Sequence, residues 1–439
     1  MQKIEINNFG PIKELNLDVK DFMLFIGPQA SGKSTIAKTI FFFKSLNDDL
    51  VRYFMSALEK NDFLKPVQSY KKIIREKFLD YFGTSRHLKD IHLNYYYSED
   101  IWIKISLEEG SHGFITPELS PVFAKTVIQL TDKVKQLYDS ITSKNHSLLT
   151  SKELSQIDSR KREIISQITK DCSVLFGDDR ELVYIPAGRS LLATLADQLQ
   201  FIEPKRLDFL MRIFVKKINL LKPIFYQSLD EIINTRKHLM QSEIDINKTK
   251  LAKEIIEKIL KGTYQCDKDG DKIYIDNSDT FVRLNLASSG QQEALWILLL
   301  IFTIILEQQN VFIVIEEPEA HLFPEAQKDI SNLIALLSNM KQSQVIITTH
   351  SPYILASINN LILAHKIGKK NAEKITPIVN KNLWISRNKI FAAMVQSGIV
   401  SEIVDPEFDI IQQEYIDSVS RSINEEFDYM YQYETVDNA

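Results

Sequence analysis

Gly27, Gly32, Lys33 and Ser34 occupy the fixed positions of G-x-x-x-x-G-K-[ST] within the run Phe22 to Thr35, FMLFIGPQASGKST. Each residue type has a task in phosphate chemistry. Glycines let successive backbone N–H groups wrap an anion, and a helix starting there points its positive end at the same charge. Lys33 would reach the β- and γ-phosphates of a nucleotide, and the Ser34 hydroxyl would ligate Mg2+. The ATP-binding loop is therefore expected at Gly27, Pro28, Gln29, Ala30, Ser31, Gly32, Lys33, Ser34 and Thr35.

Three more groups follow in the order that an ATP site requires. Leu286 to Glu293 reads LASSGQQE and opens a long apolar helix. Small hydroxyl residues and a glycine at a helix start make a second anion site, at Ser288, Ser289, Gly290 and Gln291. Val311 to Glu319 reads VFIVIEEPE, an apolar strand ending in carboxylates. A parallel α/β sheet presents ligand-binding residues at such strand ends. One acid can hold the Mg2+ shell while the next polarises the attacking water. Glu316 is assigned to the metal, with Ser34, and Glu317 to the general base. Val345 to Pro352 reads VIITTHSP, a buried strand that delivers His350 to the γ-phosphate and the attacking water.

Positioning these groups takes a set of elements that the pattern of apolar residues locates. Phe22 to Ile26 is a strand entering the loop, and Thr35 to Lys44 a helix leaving it. Residues 1 to 20 alternate as two short strands around Gly10-Pro11. Phe41 to Lys89 is helical, and Ile91 to Leu107 is a strand pair. Tyr95, Tyr96 and Tyr97 suit a half-buried sheet better than a base-stacking platform. Pro117 to Leu175 is helix-prone without sustained heptads. Glu181 to Arg189, ELVYIPAGR, is a strand ending in a turn that delivers Arg189. Residues 191 to 262 are helical. Asp267 to Asp271 fails the spacing of a calcium loop, with Ser278 where its last glutamate would stand, and is a hairpin turn instead. Thr280 to Leu286 is a further strand. The tail from Glu425 to Tyr433 is acidic and aromatic, and is expected as a packed helix with a frayed end rather than a docking segment.

The chain of 439 residues carries a net charge of -5, so no global basic field points to nucleic acid. The clusters Arg160-Lys161-Arg162 and Lys216-Lys217 read as solvated helix faces. Cys172 and Cys266 form no C-x-x-C, which argues against a thiolate zinc site and suits a reducing cytoplasm. The N-terminal MQKIEINNFG holds no signal sequence. The longest apolar run, Ala294 to Leu306, spans 13 residues, short for a bilayer and suited to a buried core helix. A cytoplasmic protein with no membrane partner is expected.

Taken together, these motifs resemble an ABC-type ATPase head of the SMC/RecF-like branch, with an OLD-like acidic motif. IEINNFGPIKELNL resembles that branch's opening strands, SSGQQE its signature, IEEPEAHLFP its acidic motif and D-loop, and TTHSP its switch histidine. The resemblance implies an α/β fold, an ABC-type P-loop NTPase head with mixed sheets and a mainly helical insertion. It implies four parts: residues 1–110 and 263–400 as the two parts of the head, 111–262 as the insertion interrupted by a head strand near 181–189, and 401–439 as a helical tail. Departures are Glu316 where the family usually has Asp, Ser289 where Gly is common, and a Gln-loop that is not located. The implied mechanism is a head-to-tail homodimer, or higher homo-oligomer, sandwiching two ATPs with Mg2+. The phosphate loop of one copy would meet Ser288 to Gln291 of the other.

What is attached to such a head separates the classes. Long coiled-coil arms, a zinc hook, a Toprim nuclease domain and membrane spans are not visible. The chain is then similar to ATPase subunits of bacterial anti-phage systems, such as PtuA of Septu and AriA of PARIS, which implies a separate nuclease or toxin effector. The alternatives are a RecF-like repair ATPase that binds DNA directly and an ATP-dependent regulatory scaffold.

Overall fold

A strand buried on both faces sends alternate side chains into two different cores, and three such strands carry the motifs above. The computed structural model describes residues 2–107, 113–142, 151–190, 192, 207–240, 244–275, 280–412 and 414–434. Its first part runs β1 (Lys3–Phe9), β2 (Ile12–Asp18), β3 (Phe22–Ile26), α1 (Lys33–Lys44), α2 (Leu46–Lys60) and α3 (Pro66–Phe82). Then come β4 (His92–Tyr96), β5 (Trp102–Leu107), β6 (Ile115–Leu119), α4 (Pro121–Thr142), α5 (Ser151–Phe176) and β7 (Glu181–Ile185). Three helices follow, α6 (Phe209–Leu221), α7 (Leu229–Met240) and α8 (Ile246–Leu260), with β8 (Thr263–Asp267), β9 (Gly270–Tyr274) and β10 (Phe281–Arg283). The last part is α9 (Ser289–Leu306), β11 (Val311–Glu316), α10 (Pro324–Ser338), β12 (Gln344–Thr349), α11 (Pro352–Ile375), β13 (Ile390–Gln396), β14 (Ile399–Glu402) and α12 (Glu414–Glu434).

The central sheet has the order β14-β13-β3-β12-β11-β7. All of its neighbours pair in parallel except β14, which closes one edge antiparallel to β13. On one side, Phe22, Leu24, Ile313, Ile315, Val345 and Ile347 pack with α8, α9, α10 and α11. On the other side, Met23, Phe25, Phe312, Val314 and Ile346 pack with α1 and an antiparallel sheet of order β2-β1-β4-β5-β6. The fold is thus α/β with mixed sheets and a mainly helical insertion, the P-loop head that the resemblance implies.

Two helices fix the site's frame. From Glu293 to Leu306 every residue of α9 is buried, so this apolar helix is part of the core. Helix α1 is anchored by Phe41, Phe42 and Phe43, all buried, with Phe41 stacked on Phe312 at 6.0 Å and edge-on to Tyr184 at 5.1 Å. Burying each ring contributes about 2 kcal/mol. Its first residue is Lys33.

Several expectations change. The helical stretch from Phe41 to Lys89 is three helices, broken at Ser45 and again between Lys60 and Pro66. Pro117 lies in β6 rather than opening a helical stretch; β6 is an edge strand, where a residue without an N–H is tolerated. The strand expected at Thr280 to Leu286 divides into β10 and a 3-10 turn over Leu284–Leu286. The tail is a helix, α12, that touches α11 and leaves residues 421–431 exposed. Tyr95 and Tyr97 are core residues whose hydroxyls donate to Gln2 Oε1 and to the Phe43 carbonyl, which leaves neither free to stack a base. Asp267 to Asp271 is the expected hairpin turn, and Lys272 takes up Asp267 and Asp269. Ser278 and parts of the stretch 191–262 lie outside the described residues.

Candidate functional site

The ends of three adjacent strands meet at the phosphate loop. β12 lies between β3 and β11, with Thr349 in register with Ile26 and Thr348 with Glu316. Phosphate loop, His350 and Glu316-Glu317 therefore share one edge of the sheet, the edge where parallel sheets bind ligands.

Gly27 ends the β3 strand with φ 154° and passes under β13; a Cβ there would stand 2.1 Å from the Val395 carbonyl oxygen. Pro28, Gln29 and Ala30 form the exposed crest, with Ala30 in the left-handed region at φ 56°. Ser31 and Gly32 are buried, and Gly32 caps α1 without any side-chain hydrogen bond. The first-turn N–H groups, including those of Ser34 and Thr35, thus face no protein cap and are available to an anion. Lys33 folds back over the loop, its Nζ donating to the Gly27 and Pro28 carbonyls at 2.8 Å each and to Ser31 Oγ at 3.4 Å. Burial pulls the Lys33 ammonium below its ordinary pKa, and the Glu317 and Glu319 carboxylates oppose that shift. A phosphate would replace these carbonyls as the ammonium's partner.

His350 joins this loop to the acids. Its Nδ1 lies 3.5 Å from Lys33 Nζ and its Nε2 lies 3.3 Å from Glu317 Oε1. That pair of contacts fits the tautomer with its proton on Nε2, donating to Glu317. The motif's third acid, Glu319, supports the arrangement. Its Oε1 accepts from Thr349 Oγ1 and from the His350 N–H, both at 2.7 Å, while Oε2 is buried with no partner.

Glu316 is buried at the end of β11. Its Oε2 accepts from the Ala187 N–H at 3.2 Å, and its Oε1 has no hydrogen-bond partner. Alternation places Tyr184, Glu316 and Thr348 on the α1 side of the sheet; Thr348 Oγ1 is buried without a partner, and the Tyr184 hydroxyl faces the Glu316 carboxylate. Burial and the nearby Glu316 carboxylate push the Tyr184 phenol well above its ordinary pKa. Buried polar atoms of this kind ordinarily have partners, so this donor set fits a hydrated hard cation beside Glu316, with exposed Ser34 in the adjacent first turn of α1. Bound Mg2+ would supply charge neutralisation at the phosphates.

The second anion site is built differently. Ser288 and Gln291 close a reciprocal capping box: Ser288 Oγ accepts from the Gln291 N–H, and Gln291 Oε1 accepts from the Ser288 N–H. Gln291 Nε2 also donates to the Leu260 carbonyl. Ser288 and Ser289 are exposed, whereas Gly290 is buried against the turn after the acids, where a Cβ would sit 2.7 Å from the His321 carbonyl oxygen. No described hydrogen bond of Ser288 to Gln291 reaches the phosphate loop of the same chain. The structure brings together Gly27–Thr35, Glu316, Glu317 and His350, and leaves Ser288–Gln291 as a helix start of its own, exposed at Ser288 and Ser289.

Sequence reasoning gave no role to Glu319, Glu293 or Arg189. Glu319 lies inside the acidic motif, and the sequence marks Arg189 only as the end of a strand turn. Both are buried charges, and burial of a charge inside a loop-flanked motif leaves no periodic signature.

A family model described as AAA ATPase domain matches residues 1–355. No curated protein matches the chain. Among solved structures it is similar to an SMC head bound to the C-winged helix domain of ScpA, at 14% identity over 91% of this chain and 96% of that one, with a TM-score of 0.41. An SMC head domain from Thermotoga maritima aligns at 14% identity over 91% and 97%, with a TM-score of 0.35. An Smc head with an extended coiled coil bound to the C-terminal domain of ScpA, from Pyrococcus furiosus, aligns at 14% identity over 97% and 100%, with a TM-score of 0.38. These likenesses are distant. The family match, by contrast, takes in the phosphate loop, the acidic strand end and the switch histidine within one continuous span, and on it the chain belongs to the AAA ATPase domain family.

Proposed function

We propose that this ATPase is Mg2+-dependent and works as a head-to-tail homodimer whose ATP-bound and ATP-free arrangements control a separate nuclease or toxin effector in bacterial anti-phage defence. The observation that carries the dimer is the separation of the two anion sites: a phosphate loop with His350 and Glu317 at one place, and a capped Ser288–Gln291 helix start at another. Large apolar side chains flank the elements that a second copy would cover. Leu286 beside the capping box is 74% exposed, Phe323 after the acidic turn 77%, and Tyr353 after His350 53%. Exposed apolar groups beside a polar helix start favour a partner surface.

In this reading Lys33 and the loop amides hold the phosphates, and Ser34 and Glu316 hold Mg2+. Glu317 takes the proton of the attacking water, and His350 orients both water and γ-phosphate. ATP binds one arrangement better than the other, and hydrolysis returns the chain to the separated form. Supporting an effector role is the resemblance to anti-phage ATPase subunits, together with the helical insertion. Exposed Arg160, Lys161 and Arg162 on α5 favour a second reading, a repair ATPase that contacts DNA.

The test is purification of Glu317→Gln with ATP and Mg2+ from its native host, with Lys33→Ala as the nucleotide-free control. An ATP-dependent dimer of the Gln variant, absent from the control, is expected. A variant that stays monomeric in saturating ATP sinks the dimer. A stoichiometric nuclease on the oligomer supports the defence role. DNA alone, with affinity falling steeply as salt rises, moves the assignment to repair.

A further inference from the structure

Arg189 is among the largest fully buried side chains of the described residues, and it makes no contact with solvent. Its guanidinium is spent on the backbone around the acids. Nη1 donates to the Pro186 carbonyl at 2.6 Å and to the Glu316 carbonyl at 2.7 Å; Nη2 donates to the Glu317 carbonyl at 2.9 Å. The carbonyls on both sides of Glu317's Cα are thus held by one rigid, planar group. Glu317 needs such a hold. Its φ is 44°, in the left-handed region that a non-glycine residue adopts only where its surroundings over-determine it. The Glu317 N–H is fixed separately, by donation to the Thr348 carbonyl at 2.8 Å.

The same arginine grips α9. Its Nε donates to the Glu293 carbonyl at 3.0 Å and lies 3.3 Å from Glu293 Oε2. In return the Glu293 carboxylate accepts from the Arg189 N–H at 3.0 Å and the Ser190 N–H at 2.9 Å. Glu293 stands within two turns of Ser288, so a helix that shifts at its capped end carries this carboxylate with it.

We propose that Arg189 and Glu293 form a positioning device that holds the strained backbone of Glu317 and makes its aim depend on the position of α9. A partner's nucleotide engaged by Ser288–Gln291 would then set how Glu317 is presented in the same chain's own site. This coupling rests on the dimer reading above; the hold on Glu317 does not. Arg189 acts through Glu317 and touches no substrate.

Arg189→Lys keeps a cation but cannot span four acceptors. Steady-state turnover and equilibrium binding of ATP to the full chain should show kcat lowered by about 10- to 100-fold, with ATP affinity within about twofold, as expected for a displaced catalytic group. Glu293→Gln keeps the side chain's shape and one acceptor oxygen, and should abolish cooperativity in ATP while lowering kcat less than Arg189→Lys does. Wild-type kcat in Arg189→Lys overturns the hold on Glu317, and so does a parallel loss of ATP binding and thermal stability, which would mark a merely structural residue. Unchanged cooperativity in Glu293→Gln overturns the coupling. Failure of Glu317→Gln to dimerise would instead strike the dimer reading, leaving the kcat-against-affinity result for Arg189 to stand on its own.

Discussion

Replacing Glu319 by alanine removes one oxygen that receives two short hydrogen bonds, from Thr349 Oγ1 and from the His350 N–H. Hydrogen bonds to a charged group are worth about 1.5–3 kcal/mol each, so leaving the two buried donors without their acceptor costs about 3–6 kcal/mol together. Against this, the substitution relieves the burial of a carboxylate whose other oxygen has no partner, so a net loss of about 3 kcal/mol is expected. Glu319→Gln should cost only about 1 kcal/mol, because its amide oxygen can accept the same two bonds and only charge assistance is lost. The two variants therefore differ by about 2 kcal/mol in urea unfolding. Turnover should separate them further. His350 starts at the N–H that Glu319 holds, so Glu319→Ala should lower kcat by about 100-fold while Glu319→Gln stays within a few-fold. Equal stability and equal turnover for the two would refute the claim that Glu319 acts as an acceptor holding the switch histidine.

Other predictions rest on separate contacts. Gly27→Ala drives a Cβ to 2.1 Å from the Val395 carbonyl oxygen, so the loop must shift and ATP affinity should fall at least about tenfold in a direct binding assay. Gly290→Ala meets the His321 carbonyl oxygen at 2.7 Å and should cost about 1–3 kcal/mol in thermal unfolding; an unchanged Tm would refute the close approach. Lys44 is buried on Asp178 at 2.6 Å, and burial pulls its pKa from 10.5 to about 8 despite that carboxylate. Between those values the unfolded chain binds the extra proton, so Lys44 makes unfolding free energy rise with pH in that window. Stability of the wild type relative to Lys44→Met, followed from pH 7 to 10, should therefore increase; a flat difference would show that Lys44 titrates normally.

Legibility in the sequence tracked the range of the interaction. The phosphate loop is a contiguous pattern, and β3, β11 and β12 are buried along their whole length, with apolar runs that end in the site's polar residues. β13 escaped notice, although it lies directly beside β3, because its pairing partner is more than three hundred residues away and its short run IFAAMVQ has no flanking motif. Glu316, Glu317 and His350 could be named from their strand ends. The residues that hold them could not, since Glu319, Glu293 and Arg189 act through backbone groups that only the fold brings together. The acidic, aromatic pattern of the tail specifies a helix, α12, but not how much of it is covered: residues 421–431 are exposed.

The placement of β3 between β12 and β13 also bears on how the chain is made. Phe22 to Ile26 leaves the ribosome about three hundred residues before its nearer parallel neighbour, which begins at Gln344. At about 5–20 residues per second, the interval is roughly 15–60 s, during which five apolar residues have no lateral partner. Over that time the segment is a template for wrong pairing, shielded at first only by the early hairpin and α1. Nucleotide cannot help, because the loop that binds it is framed by strands not yet synthesised. A translation pause or a holding chaperone acting in that interval would therefore bear directly on the yield of active protein.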